Sequence, residues 1–134
     1  MKFVSVLNKK GEMPRLLNAI AHTTVGVAGS VKDQDSLALT GYRHKGGDVF
    51  SVVSDNPFII LRASGNELRK LVGALIEAGV TYSAFTDSMV FGGAKQQKLQ
   101  TAAIEFQDLN FLVVTCFGPD EIIGALTKKF SIWK

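Results

Sequence analysis

Hydrophobic and polar positions switch between two periods along this chain, and the switching predicts strands separated by helices. Phe3 to Leu7 is a short β-rich run closed by the turn Asn8-Lys9-Lys10-Gly11. Pro14 suits a first helical position, where its missing N–H costs nothing. Leu16, Leu17, Ile20, Ala21 and Val25 then recur at helical spacing and form the expected apolar face, with Gly26 and Gly29 as the expected stop. Leu37, Leu39 and Tyr42 read as a strand, which the turn Lys45-Gly46-Gly47-Asp48 returns through Val49 to Val53. After Pro57, the continuous apolar run Phe58-Ile59-Ile60-Leu61 suits a strand buried on both faces.

The second half is clearer. Ser64 and Glu67 have the spacing of a capping box, in which each side chain satisfies an orphan backbone donor of the first helical turn. Leu68, Leu71, Val72, Leu75 and Ile76 follow as one apolar face, and Gly79 closes the helix. Val80 to Thr86 reads as the next strand and ends at Asp87. Gly92-Gly93 opens a polar, weakly amphipathic stretch from Ala94 to Ala103. Phe111 to Phe117 is the best candidate for a fully buried strand. Pro119 starts a last helix whose Asp120 and Glu121 favour its positive end, and the chain then runs to the basic, aromatic tail Thr127-Lys128-Lys129-Phe130-Ser131-Ile132-Trp133-Lys134.

Strand and helix in alternation predict a single domain over residues 1–134: a three-layer α/β/α fold with a small mixed, mainly parallel sheet. The connection from Leu61 over the capped helix to Thr81 is expected to be a parallel, right-handed βαβ unit. The 37–53 hairpin would supply the mixed part of the sheet.

Composition narrows the function classes more than it selects one. With 134 residues and 46% hydrophobic content, the chain can build one core without staples. A formal charge of +3 is compatible with an anionic partner but is also ordinary. The single Cys116 excludes an intrachain disulfide and a cysteine-based metal cluster, and its apolar surroundings predict a buried, inert thiol. His22 and His44 are too far apart, and too poor in nearby carboxylates at ligand spacing, for a zinc site, so no metal or cofactor is expected. No apolar stretch approaches the ~20 residues of a membrane span, and Met1 to Leu7 is too short for a signal peptide, which makes the cytoplasm the expected compartment.

Three segments carry a resemblance. Pro14-Arg15-Leu16-Leu17-Asn18-Ala19-Ile20-Ala21-His22 resembles the first-helix motif of type II peptidyl-tRNA hydrolases. Glu77-Ala78-Gly79-Val80 with Thr86-Asp87 resembles their middle segment, and Gly118-Pro119 through Leu126-Thr127 resembles their closing one. The strings Arg15 to His22, Pro57 to Ala63 and Thr127 to Trp133 look closer still to an uncharacterised bacterial family of unknown function with the same hydrolase-like fold. The resemblance implies that fold, a homodimer, and tRNA or a small anionic ligand as partner. It also implies hydrolysis of an ester or amide, with Asp87 and His22 as catalytic candidates and Arg15, Asn18, Thr86 and Ser88 as substrate-binding ones.

The chain departs from the hydrolase pattern at two decisive places. Arg15 stands where those enzymes carry a lysine. Arginine stays protonated, so it can bind or orient an anion but cannot exchange a proton. The motif threonine beyond Asp87 has no match, since Ser88, Met89, Val90 and Phe91 follow. These departures motivate a second reading, a non-catalytic domain that binds a small anionic ligand or a protein partner. A third, a structural dimer, rests on Phe130 and Trp133 near the end. Gly92-Gly93 lacks the Lys-Ser/Thr of a phosphate loop, and His44 belongs to a solvated turn.

Overall fold

A computed structural model describes all residues, 1–134. β1 (Lys2–Asn8), β4 (Phe58–Ala63), β5 (Thr81–Thr86), β6 (Phe111–Gly118) and the two-residue β7 (Ser131–Ile132) form one sheet in the order β5-β6-β1-β4-β7. The hairpin of β2 (Leu39–Arg43) and β3 (Val49–Ser54) is a separate two-stranded sheet. Four α-helices complete the chain: α1 (Met13–Ser30), α2 (Gly65–Ala78), α3 (Ala94–Ala102) and α4 (Asp120–Thr127).

The expected mainly parallel sheet is corrected to a mainly antiparallel one. Only β1 and β4 pair in parallel, while β1–β6, β5–β6 and β4–β7 are antiparallel. The reason lies in α3. A parallel neighbour needs a helix that packs across the sheet and carries the chain back to the starting end. α3 buries no residue, so it makes no such crossing, and β6 returns from the end where β5 finished. The β4–α2–β5 connection does link strands of the same direction, but β1 and β6 lie between them. The hairpin contributes nothing to the mixed character of the main sheet.

Successive strand residues face opposite sides of a sheet, and β1 separates the core accordingly. Val4 and Val6 pack with Leu68, Leu71, Val72 and Leu75 of α2 and Ile123 of α4. Leu7 packs with Leu16 and Ala19 of α1, and Phe3 with Val27 of the same helix. All eight residues of β6 are buried, as its sequence predicts for a strand with neighbours on both edges. β4 is not buried on both faces: Phe58 and Ile60 are exposed while Leu61 and Ala63 are inside. Only two residues of β7 flank its outer edge.

The capping box of α2 forms as its spacing predicts. The Ser64 backbone N–H donates to Glu67 Oε2 at 2.7 Å, and the Glu67 N–H donates to Ser64 Oγ at 3.3 Å. The Ser64 N–H, helped by Lys9 and Lys129, holds the Glu67 carboxyl below its ordinary range against the opposing effect of burial. Gly79 ends the helix at φ 65°, where a side chain would be strained.

α1 differs most from its expected form. It runs through Gly26 and Gly29, and its buried stripe is Leu16, Ala19, Thr23 and Val27, while Leu17 and Val25 are exposed. Gly26 is a contact position and not a stop. A Cβ there would lie 3.1 Å from Ser83 Oγ, so the missing side chain lets α1 approach β5. Thr23 enters the core because its hydroxyl is fully partnered, donating to Ala19 O at 2.8 Å and meeting Thr115 Oγ1 at 2.8 Å.

Cys116 is buried, and burial pushes its thiol up from the ordinary 9.0 to about 12. A raised pKa means that the folded state keeps the proton longer than the unfolded one. The stability tied to this group is therefore present below pH 9.0 and is lost as pH climbs towards about 12. A thiol reagent at about pH 8 is expected to leave the native protein unlabelled and to label it fully in denaturant. Rapid labelling without denaturant would contradict the burial.

Candidate functional site

The largest cleft, about 820 Å³, opens between α1, β5 and α3. Its floor is apolar, made of Phe85, Met89 and Val90, with Ala94 and Ala102 on the α3 side. Its polar groups come from three places: Asn18, His22 and Thr23 on α1, Ser83 on β5, and Gln97, Lys98 and Thr101 on α3. No Asp or Glu lines it, so Lys98 and His22 are its only ionisable side chains.

The helical repeat of α1 produces this wall. Leu16, Ala19 and Thr23 point into the core, and Asn18 and His22, one turn apart, stand beside them towards β5. The His22 ring lies over Phe85 with centroids 5.8 Å apart and planes tilted by 32°.

α3 is fixed by polar bonds in place of an apolar face. Thr86 Oγ1 and Ser88 Oγ are 2.7 Å apart, Ser88 Oγ and Thr101 Oγ1 are 2.8 Å apart, and the Thr101 hydroxyl donates to Gln97 O at 2.8 Å. The Gln97 side-chain amide donates to Gly92 O at 2.8 Å. Thr86 and Ser88 therefore sit in a hydroxyl chain that ties the end of β5 to α3. Neither is among the residues lining the cleft.

Arg15 and Asp87 also lie outside the lining. The Arg15 guanidinium stacks 5.0 Å above the Phe91 ring and is 3.8 Å from the Glu12 carboxylate. Asp87 is exposed just beyond β5, and its Oδ2 accepts a bond from the Asn110 amide at 3.0 Å. Of the six residues singled out by sequence, the structure brings only Asn18 and His22 to the cleft. Gln97, Lys98, Thr101 and Ser83 were missed. One signal pointed to them: a polar helix after Gly92-Gly93 has no apolar face with which to dock on a core, so it must be held over something else.

Elsewhere, Lys9, Arg62 and Lys129 with Glu67 and Ser131 surround a smaller recess of about 400 Å³. No group of three or more His, Cys, Asp or Glu side chains converges as a metal site requires. No helix is long and apolar enough to cross a membrane.

The architecture and cleft define the class: a mixed α/β domain with a mainly antiparallel five-stranded sheet, four helices and a ligand-sized cleft beside its β5 edge. The chain belongs to the DUF2000 family of proteins of unknown function, whose model matches residues 1–134. The solved structure of Atu0240, a protein of unknown function from Agrobacterium tumefaciens strain C58, has the same fold. The TM-score is 0.85 at 18% identity, over 99% of this chain and 97% of that one. No protein with a curated description matches.

Proposed function

We propose that this domain binds a small anionic ligand with an apolar body in the α1–β5–α3 cleft. One observation carries the reading: Lys98 and His22 face an apolar floor, and no carboxylate lines the same cleft to neutralise them. Asn18, Ser83 and Gln97 supply hydrogen bonds that would orient the ligand, and Phe85, Met89 and Val90 supply the apolar contact. Thr86 and Ser88 act one step away, as the ties that position α3. The scaffold in this reading is the three-layer, peptidyl-tRNA-hydrolase-like one, supported by α1 and α2 packing on opposite sides of β1. The reading also keeps the homodimer that the resemblance implies.

A thermal-shift series with phosphate monoesters, short-chain carboxylates, nucleotides and RNA fragments tests it. A binder present at a hundred times its Kd stabilises by about 2.7 kcal/mol. Stabilisation is expected from at least one class and is expected to vanish in Lys98→Glu. If no class stabilises the wild type, the ligand reading is lost.

Hydrolysis of an ester or amide, with peptidyl-tRNA as the candidate substrate, is the second reading. It is favoured by the presence of His22 in the cleft, where an imidazole can take a proton from water. Asp87 would join only through a substrate long enough to reach from the cleft past the end of β5, and Arg15 beside Phe91 would hold its anionic part. Peptide release from a peptidyl-tRNA analogue is then expected to fall in both His22→Ala and Asp87→Ala. Equal rates for wild type and both variants would end this reading.

A further inference from the structure

The β2–β3 hairpin stands apart from the main sheet and carries apolar side chains on both faces. Leu39, Tyr42, Val49, Phe50, Val52 and Val53 are all exposed, Phe50 at 67% and Val52 at 61%. Val52 and Val53 are consecutive in one strand, so they point to opposite sides. A lone two-stranded hairpin is at best marginally stable in water, and this one presents no polar face to solvent. β3 reads Val-Phe-Ser-Val-Val-Ser, and its outer edge carries none of the charges or prolines that keep free edges from pairing. Phe58 and Ile60, a few residues further on in β4, are exposed as well.

The charges around the hairpin say what covers it. Its tip is basic, with Arg43, His44 and Lys45 against Asp48, and its base is acidic, with Asp33, Asp35 and Asp55 against Lys32. All of these are exposed. A two-fold interface places the same patch of both copies face to face, so residue i meets j and j meets i. Two hairpins laid antiparallel across such an axis put each basic tip at the other's acidic base. The surface is therefore complementary to itself.

We propose that the hairpin is the homodimer interface, and that the partner is a second copy whose own hairpin lies antiparallel across a two-fold axis. This rests on the homodimer reading above and moves the contact away from Phe130 and Trp133. Phe130 is buried in its own core, and Trp133 is half-buried against the α1 side of the sheet.

Sedimentation of the full chain tests the proposal. The wild type is expected at twice the 14.5 kDa of one chain. Phe50→Asp with Val52→Asp is expected to give a monomer with an unchanged circular-dichroism spectrum, because both side chains are exposed. Arg43→Glu with Lys45→Glu should weaken the dimer at least tenfold at low salt. Adding Asp33→Lys and Asp35→Lys to that chain should restore it, since both ends are then exchanged. A monomeric wild type overturns the homodimer and this surface together. A dimer indifferent to the Phe50/Val52 change overturns the surface and leaves the homodimer standing. Failure of the four-charge exchange to restore association overturns the antiparallel arrangement.

Discussion

Leu16→Ala is expected to cost about 2–5 kcal/mol of stability, the range for deleting a fully buried leucine side chain. Leu16 is 0% exposed and packs with Leu7, Ala19, Phe85, Leu112 and Val113, so no solvent can fill the space it leaves. The same helix carries Asn18 and His22, and loosening it is expected to reduce any ligand response of the cleft as well. Leu17→Ala is the control. Leu17 is 58% exposed and its truncation should stay within about 0.5 kcal/mol. Equilibrium denaturant unfolding of the two variants checks the orientation of α1. Equal losses would mean that the helix is rotated from the position described.

Thr115→Val is expected to cost about 1–3 kcal/mol, although valine has nearly the same shape. Thr115 Oγ1 lies 2.7 Å from Ser5 Oγ and 2.8 Å from Thr23 Oγ1, and all three residues are buried. Thr23 keeps its bond to Ala19 O when Thr115 changes. Ser5 is fully buried and is left with no side-chain partner, so its hydroxyl carries the desolvation cost. Ser5→Ala removes that orphan, and the double variant is therefore expected to be more stable than Thr115→Val alone. If the two losses simply add, the Ser5 and Thr115 hydroxyls, on β1 and β6, are not coupled.

How far the site could be read from sequence depended on what each residue's environment required. Ser64 and Glu67 act within one helical turn, so their spacing alone predicts the bonds they make. His22 and Asn18 were legible for a similar reason, since they share a side of one helix. Arg15, two helical turns before His22, and Asp87, at a strand end, were grouped with them by position as well as by the resemblance, yet they end on Phe91 and Asn110, residues far from them in the chain. Lys98 carried no signal of its own, because a lysine in a polar helix reads as solvated surface until the helix is placed over a cleft.

The same division runs through the fold. Local spacing determined the capping box, the stop at Gly79, the complete burial of β6 and most element positions, because backbone satisfaction and the periods of strand and helix act over a few residues. The order and direction of the strands, the buried face of α1 and the separation of the hairpin were decided only by tertiary structure. Each depends on which distant surface an element meets. Thr23 meets Thr115 only across 92 residues of chain, and the tight fit of Gly26 against Ser83 exists only once α1 lies on β5.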